Sequence, residues 1–233
     1  MNERIVISQS SILTCTGSTG QDCFDALAQS RSGLTNDERF GRTIGRLEKT
    51  SINKVTETRD SLDPRDRLDD TAVYAATVTK EVIGKNGFHN PKNLGVIFGS
   101  SRGATGSFEK HIDNFTATGR ASSMASPSTT GVSVPATAAK VAKAGGPSFY
   151  VSSACQTGLT AIGIGYGLIR AGQTSAFVAG AAEAPLTPFT LSALERLKIL
   201  SNRTDQFPCV PGDPRRDGMV LAEGAGAVLI ESE

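Results

Sequence analysis

The sequence predicts an α/β domain in which helices cover both faces of a mostly parallel β-sheet. The chain has 233 residues, enough to bury a sizeable core in one large domain or two small ones. Its 38% hydrophobic and 20% charged residues are typical of a globular protein and exclude a disordered or fibrous one. Short apolar runs alternate with helical patterns, and repeated strand–helix–strand connections of this kind build a parallel sheet between helix layers.

Five short runs of apolar and β-branched residues predict the strands of this sheet. ERIVIS follows directly on the amino terminus, and LGVIFGSS is an uninterrupted apolar run of the kind found in buried strands. SFYVSSA, SAFVAGAAEA and GAGAVLIESE complete the set in the second half of the chain. The predicted strands lie, in order, at 3–8, 94–101, 148–154, 175–184 and 224–233.

Six segments with helical spacing or composition separate these strands. Apolar positions recur three and four residues apart in QDCFDALAQS, and ATAAKVAKAGG is alanine-rich and closed by two glycines. The helix that follows Asp-Pro is expected to end at Gly84 and the pair Asn86-Gly87. The predicted helices lie at 21–30, about 66–83, 108–118, 136–146, 156–171 and about 188–198. Loops are predicted for the polar stretch 31–53 and the Ser/Thr/Pro-rich stretch 121–135.

Charge, hydropathy and cysteine spacing exclude several classes of function. The net charge is +1 and basic residues are scattered, so we expect no nucleic acid and no acidic membrane as a partner. No run reaches the roughly 18 apolar residues of a membrane-spanning helix, and the amino terminus lacks the features of a signal peptide. The four cysteines have no CxxC spacing, so we expect no metal site and free thiols in a cytoplasmic protein.

The stretch FYVSSACQTGLTAIGIGYGLIRAG (149–172) is typical of a strand, a tight corner and a helix, with Cys155 at the corner. At the first turn of a helix a thiol meets unpaired N–H groups and the positive end of the helix dipole, which favour the nucleophilic thiolate. The same N–H groups can bind an oxyanion when the sulfur attacks a carbonyl. The pattern therefore predicts covalent acyl transfer through a thioester at Cys155. The alternative, a small buried apolar cysteine, stays open at this point.

Several motifs in a fixed order resemble those of the β-ketoacyl synthases, the condensing enzymes of fatty acid and polyketide synthesis. SSACQTG resembles the nucleophile motif of this family, and VAGAAEAPLTP resembles its Gly-Gly-x-Glu segment with Thr-Pro. RLKILSNRTD and PGDPRRDGMVLAEGAGAVLIE resemble two further family segments, and LGVIFGSSRGATG precedes them in the right order. Together they cover nearly all of the chain. The run EAPLTPFTLSALERLKILSN is also similar to ketosynthases of aryl polyene and flexirubin-type pigment pathways.

The resemblance implies both a fold and a reaction. The fold is thiolase-like, with two βαβαβαββ halves, of which residues 1–233 are the amino-terminal domain with a five-stranded, mostly parallel sheet. Cys155 is expected to take an acyl chain from an acyl carrier protein, and malonyl carrier protein is then decarboxylated and condensed with it. No cofactor is implied. Because the family forms dimers near the strand at 148–153, the resemblance implies a homodimer, or a heterodimer with a second ketosynthase or a chain-length factor.

Three residues are candidates for the acyl-binding pocket. By the resemblance Phe189 and Leu194 line it, although an apolar helix face is more often part of a core. Arg102 stands where fatty acid synthases often have an apolar residue of the acyl channel. A buried guanidinium needs a partner, so this position predicts a shorter or more polar pocket, or else an arginine that points to solvent. Glu183 and Glu223 fall in family motifs, and we expect them to be structural rather than catalytic.

The family chain is nearly twice as long as this sequence. Two decarboxylating histidines, an assisting lysine and a Gly-Phe-Gly-Gly loop are expected beyond Glu233, while His89 and His111 are expected to be solvated surface residues. Three explanations stay open: a fragment of a synthase, a half-length subunit completed by another chain, or a non-catalytic scaffold like a chain-length factor. The retained Cys155 favours an enzyme. Alone, the 233 residues are expected to accept acyl groups slowly and to decarboxylate no malonyl group.

Overall fold

The computed structural model describes residues 4–84, 87–205 and 207–233, and within these ranges the chain forms seven strands and eight α-helices. The strands are β1 (Ile5–Leu13), β2 (Thr35–Asp37), β3 (Arg42–Ile44), β4 (Leu94–Gly99), β5 (Ser148–Val151), β6 (Ala176–Glu183) and β7 (Gly224–Ser232). The helices are α1 (Gly20–Ala28), α2 (Lys49–Asp60), α3 (Asp70–Ile83), α4 (Thr105–Thr118), α5 (Ala125–Thr129), α6 (Ser133–Ala142), α7 (Thr157–Arg170) and α8 (Pro188–Arg196). None of the helices in these ranges is both long and apolar enough to cross a membrane.

Five strands form the central sheet in the order β1-β7-β6-β4-β5. β4 pairs parallel with β5 and β6, whereas β7 pairs antiparallel with β6 and β1. Four of the five strands therefore run in one direction and β7 is reversed. This confirms the prediction of an α/β fold with a five-stranded, mostly parallel sheet. β2 and β3 form a separate antiparallel hairpin.

Helices cover both faces of the sheet, as predicted. On one face α3 and α6 pack over a core that contains Phe98 and Val178. On the other face α7 packs over Ile97 and Phe177. Ile97 and Phe98 are successive residues of β4, and they reach opposite cores because side chains alternate along a strand. β4 is buried along its whole length, since both of its edges are paired and both of its faces are covered.

The first predicted loop, residues 31–53, is wrong in part, because it contains the β2–β3 hairpin and the start of α2. The buried face of α2 is formed by Ser51, Val55 and Thr58, so its sequence lacks the apolar period of an amphipathic helix. The helix begins instead at a polar cap, where the carboxylate of Glu48 accepts hydrogen bonds from two backbone N–H groups of the first turn.

The second predicted loop, residues 121–135, contains α5 and the beginning of α6. Pro127 and Pro135 indicated a loop, but each stands in the first turn of its helix, where a missing N–H removes no helical hydrogen bond. Gly84 ends α3 with a φ of +70°, as expected. Asn86, the other predicted helix terminator, lies outside the described residues.

Candidate functional site

Cys155 lies at the corner between β5 and α7, and it is exposed, so it is not a small buried apolar residue in this structure. β5 ends at Val151 and α7 begins at Thr157. Between them Ala154 has a φ of +49°, a left-handed conformation that strains a residue with a Cβ. The Thr157 hydroxyl holds the corner, because it accepts from the N–H of Ser153 at 2.9 Å and donates to the carbonyl of Ala154 at 2.7 Å.

The carboxyl end of β4 lies directly against this corner. Gly99 is the last residue of β4 and lies in register with Val151 of β5. A Cβ at Gly99 would lie 2.1 Å from Cγ2 of Thr157 and 2.4 Å from the carbonyl oxygen of Val151. Only glycine permits this close approach, which places the start of α7 tightly over the end of the sheet.

Three parallel strands end at the same edge of the sheet, and a candidate residue stands at the end of each. Arg102 follows β4, Cys155 follows β5 and Glu183 ends β6. In open α/β sheets, ligands bind outside the carboxyl ends of the strands. The fold therefore brings two residues selected from the sequence, Arg102 and Cys155, to the edge where a ligand is expected.

The loop that carries Arg102 is held by side chains of neighbouring strands. The hydroxyl of Tyr150 donates to the Ser100 carbonyl at 2.7 Å, and Ser100 Oγ accepts from the N–H of Arg102 at 3.3 Å. Glu183 Oε1 accepts a hydrogen bond from the N–H of Ser101. Burial raises the pKa of the Glu183 carboxyl, against the opposing effect of the N–H groups that it accepts from. Glu183 thus anchors the loop, which agrees with the structural role expected of it.

A cavity of about 770 Å³ opens beside this loop, and it is called the Arg102 cavity below. Arg102 and Phe189 both line it, so the structure brings these two candidate pocket residues together. The sequence analysis missed the contribution of α4. The sequence signal that could have revealed it is an apolar stripe on α4, where Phe108 and Ile112 lie one turn apart and both line the cavity.

Leu194 lies apart from the Arg102 cavity. It is 4% exposed and belongs to a separate apolar cluster with Ile44, Leu191 and Leu200. The structure thus places Leu194 in a small core, which was the alternative considered from its position on an apolar helix face. Its role in acyl binding stays a prediction.

A second cavity, of about 700 Å³, lies beside Cys155 itself. It runs between α7 and the strands β1, β6 and β7, and Leu159, Ile162 and Gly180 are among the residues that line it. The small side chains of β6 leave this space open. A substrate that reaches Cys155 therefore meets a largely apolar surface on one side.

The other cysteines and the two histidines have different settings. Cys15 and Cys23 are half-buried, and burial raises the pKa of the Cys15 thiol, whereas Cys209 is exposed. His111 is not the solvated residue that was expected, because it is half-buried and its Nε2 lies 2.9 Å from Oγ of Ser128. Among the described residues, His, Cys, Asp and Glu side chains form no group of three that could hold a metal ion.

Fold and site together define a class of protein. It is an α/β protein with an exposed cysteine on a hydrogen-bonded strand–helix corner, at the carboxyl ends of its parallel strands, and such a thiol can carry an acyl group as a thioester. The chain belongs to the β-ketoacyl synthase family, because the family model described as "Beta-ketoacyl synthase, N-terminal domain" matches residues 2–233.

Individual relatives include 3-oxoacyl-[acyl-carrier-protein] synthases and polyketide beta-ketoacyl synthases. The chain is 29% identical over 238 residues to 3-oxoacyl-[acyl-carrier-protein] synthase 2 of Vibrio harveyi, covering 98% of this chain and 57% of that protein. It is 27% identical over 248 residues to the granaticin polyketide putative beta-ketoacyl synthase 1 of Streptomyces violaceoruber, covering 99% and 59%.

The fold is similar to that of solved ketosynthases, which confirms the expected thiolase-like fold. One of them is the ketosynthase of a type II polyketide synthase, solved in complex with its acyl carrier protein and bound to the hexaketide. It superimposes with a TM-score of 0.79 at 23% identity, over 100% of this chain and 59% of that one. The chain thus spans somewhat less than three fifths of the length of the relatives that it matches.

Proposed function

We propose that this chain is the amino-terminal half of a β-ketoacyl-[acyl-carrier-protein] synthase in which Cys155 accepts the acyl chain. The observation that carries the proposal is the corner. Cys155 is exposed, follows a residue with a φ of +49° and stands two positions before a 14-residue helix that has no side-chain cap. Membership of the family supplies the substrate class, an acyl thioester.

In the acyl-transfer step the sulfur of Cys155 attacks the thioester carbonyl of an acyl carrier protein. A new carbon–sulfur bond forms, the bond to the carrier's sulfur breaks, and the carrier leaves as a thiol with the proton that Cys155 gave up. The N–H groups of Gln156 and Thr157 donate to the carbonyls of Ser153 and Ala154, each at 3.2 Å. The oxyanion that forms between these events would therefore be stabilised by the remaining N–H groups of the corner and by the positive end of the α7 dipole. We assign one oxyanion donor to the N–H of Cys155 and place the second outside these 233 residues.

Condensation needs groups beyond those at this corner. The malonyl carrier must lose its carboxylate as CO₂, and the resulting carbanion attacks the thioester carbon and releases the Cys155 sulfur. A base or donor pair must face the malonyl carboxylate. His89 is exposed in a loop, and His111 is paired with Ser128, so neither is proposed for this step. The histidines implied by the family resemblance would supply it from outside these residues.

Two protein partners belong to the proposal. The first is an acyl carrier protein, as in the polyketide ketosynthase complex described above. The second is another ketosynthase-type subunit, which is either a second copy of this chain or a different chain. β5 is an edge strand of the sheet and its Phe149 is 41% exposed, which supports pairing of this edge with another subunit.

Labelling of the cysteines tests the nucleophile. The protein is treated with limiting iodoacetamide and, separately, with octanoyl carrier protein, and its peptides are then analysed by mass spectrometry. We expect Cys155 to be alkylated before the other three cysteines and to carry the acyl adduct. Cys209→Ala is the matched control, because Cys209 is also exposed but lies in a loop without a helix start.

The rival function is a non-catalytic scaffold that holds a partner ketosynthase. It predicts that Cys155 reacts no faster than Cys209 and that no acyl adduct forms, even when the partner is present. That result would contradict the proposed function. Loss of the adduct in Cys155→Ala, with an unchanged adduct in Cys209→Ala, would support it.

A further inference from the structure

The buried side chain of Thr157 contacts the backbone of the Cys155 corner with both of its end groups. Its hydroxyl accepts from the N–H of Ser153 at 2.9 Å and donates to the carbonyl of Ala154 at 2.7 Å. Its methyl lies against Gly99, so closely that no Cβ could be added to that glycine without a clash. Because threonine is stiff about its first side-chain torsion, the methyl contact also fixes the direction of the hydroxyl. The end of β4 thus sets the orientation of the side chain that holds the corner.

One of the two hydroxyl bonds determines where the N–H of Cys155 points. The Ala154 carbonyl and the Cys155 N–H belong to the same peptide group, which is planar and trans. In a trans peptide group the C=O and the N–H point in opposite directions. Since the carbonyl is bonded to the Thr157 hydroxyl, the N–H is directed away from that side chain. This N–H is the oxyanion donor assigned above, and the bonds that hold the corner do not use it.

The peptide group is held in this direction against backbone strain. Ala154 has a φ of +49°, a conformation that a Cβ disfavours and that persists only where the surroundings impose it. The backbone N–H of Thr157 also donates to the Ala154 carbonyl, but at 3.2 Å, against 2.7 Å for the hydroxyl. The hydroxyl is therefore the closer of two restraints on the same oxygen. Its removal would loosen the peptide group without releasing it.

We propose that Thr157 is a positioning residue for acyl transfer, because its hydroxyl fixes the peptide group that carries the oxyanion donor. With the hydroxyl in place, the Cys155 N–H is already oriented when the tetrahedral oxyanion forms, and a donor oriented in advance needs no reorganisation at that moment. Thr157 acts through this N–H and not on the sulfur. The inference rests on the proposed function, since it concerns the transfer of an acyl group to Cys155.

Two reactions of the same thiol test the proposal on the complete protein. Transfer of an octanoyl group from a carrier protein passes through an oxyanion, whereas iodoacetamide is attacked at carbon, loses iodide and forms none. Without the hydroxyl, the acylation rate constant at saturating carrier should fall by about 10- to 100-fold, which is less than the cost of losing a whole donor. The alkylation rate and its pH profile report the thiolate alone, so they should stay within about twofold of the wild type. The carrier concentration that gives half the maximal rate should not change, because the hydroxyl does not bind the carrier.

Four substitutions assign the effect to the hydroxyl. Thr157→Val keeps the shape of the side chain and removes the hydroxyl. Thr157→Ser and Thr157→Ala both lack the methyl and differ from each other only in the hydroxyl, so this pair isolates it even if Thr157→Val does not fold. Acylation should be fast in Thr157→Ser and slow in Thr157→Ala and Thr157→Val. Thr160→Val is the matched control and should leave acylation unchanged, because Thr160 lies three residues further along α7 and its hydroxyl takes no part in the bonds that hold the corner.

The possible outcomes distinguish this inference from the proposed function. Equal acylation rates in Thr157→Ser and Thr157→Ala would overturn the inference and leave the proposed function intact. Parallel slowing of acylation and alkylation would also overturn it, because the hydroxyl would then maintain the thiolate or the fold of the corner instead of the oxyanion donor. If the wild-type protein forms no acyl adduct on Cys155, the proposed function is wrong, and this inference with it.

Discussion

On each face of the sheet lies one helix of 14 residues, and the two helices differ in how many of their residues are buried. α3 and α7 both have 14 residues. Ten residues of α3 are buried, because the helix packs against the sheet, against α6 and against α2. Only four residues of α7 are buried, on the side that faces the sheet. On the α3 side the helix is therefore enclosed by other elements, whereas on the α7 side a single helix covers the sheet and its outer surface is exposed.

The uncovered side of α7 is as apolar as the covered side. Leu159 is 75% exposed and Tyr166 is 47% exposed, while Arg170 is the only charged residue of the helix. A helix that is apolar all round is typical of the interior of a larger protein. Gly163 and Gly167 stand one turn apart on this outer side, with open space beside both, which would let another helix approach closely. Under the proposed function, the remainder of the synthase covers this face.

The largest expected effect is a difference in the free energy of unfolding between two variants, each with one apolar side chain shortened to alanine on one face of the sheet. Val78→Ala, at a fully buried position of α3, should lower the free energy of unfolding by about 2 kcal/mol. Leu159→Ala, on the outer side of α7, should change it by less than about 0.5 kcal/mol in the 233-residue chain. Urea unfolding of both variants beside the wild type measures this difference.

The same pair sharpens the comparison in a longer protein. If α7 is covered there, the cost of Leu159→Ala should rise to about 2–3 kcal/mol, while that of Val78→Ala stays as it was. An equally small effect of Leu159→Ala in a protein as long as the relatives would contradict the idea that its outer face is an internal interface.

A substitution at Gly163 is expected to increase the stability of the chain, by less than Val78→Ala decreases it. Apart from the adjacent backbone of α7, no atom of the described residues lies within 4 Å of a Cβ added there. Because alanine is also the better helix former, Gly163→Ala should stabilise the 233-residue chain by about 0.5–1 kcal/mol. In a longer protein the added methyl would obstruct a closely packed helix, and the gain should disappear. Thermal unfolding of the variant in both chains decides this, and a gain of the same size in both would show that nothing packs closely on Gly163.

The elements that the sequence predicted well are those whose signal is local. β4 is a continuous apolar run, and the end of α3 is marked by a glycine that has a positive φ in the structure. The hairpin of β2 and β3 and the helix α2 escaped prediction, because their buried apolar residues, Ile44 and Val55, are isolated among polar ones and form no period. What buries them is contact with distant parts of the chain, as when Gly45 pairs with Ala222. A pattern read along the sequence does not contain such contacts.

In the candidate site, too, the features with a local sequence signal were predicted and those built from distant parts of the chain were not. The corner at Cys155 was predictable because strand, turn and helix are consecutive in the sequence. The Arg102 cavity joins α4, α8 and the loop after β4, so only the fold shows that Arg102 and Phe189 share it. Glu109, which also lines this cavity, gave no signal, because a glutamate on an amphipathic helix ordinarily faces solvent. Leu194 shows the reverse case, in which an apolar position fitted both a pocket and a core, and the structure places it in a core.

The two faces also differ in how they satisfy a buried carboxyl group. Burial raises the pKa of both Glu223, which contacts α3, and Glu183, at the edge that carries Cys155. Both oxygens of Glu223 accept hydrogen bonds, from the N–H of Leu47 at 3.0 Å and from the Tyr74 hydroxyl at 3.2 Å. Only Oε1 of Glu183 has a partner, while its Oε2 is buried without one among the described residues. A glutamine can therefore replace Glu183 without losing a hydrogen bond, whereas at position 223 it has a single acceptor oxygen for two donors.

This difference predicts the smallest of the three effects, a change in the pH dependence of stability. A carboxyl with a raised pKa in the folded state binds its proton more tightly there than in the unfolded chain. Its contribution to stability is therefore fully present below the unfolded pKa near 4.5 and is lost as the pH rises through the folded pKa.

Glu183→Gln should flatten this decline in stability and be at least as stable as the wild type at neutral pH. Glu223→Gln should flatten it too, but should be less stable than the wild type at neutral pH, where the ionised Glu223 offers one acceptor oxygen each to Leu47 and Tyr74 and glutamine offers one for both. Urea unfolding across about pH 4 to 8 measures both profiles, with exposed Glu57→Gln as the control. A steeper decline in Glu183→Gln would mean that the ionised carboxylate stabilises the loop around Arg102, and that the two faces treat their buried acids alike.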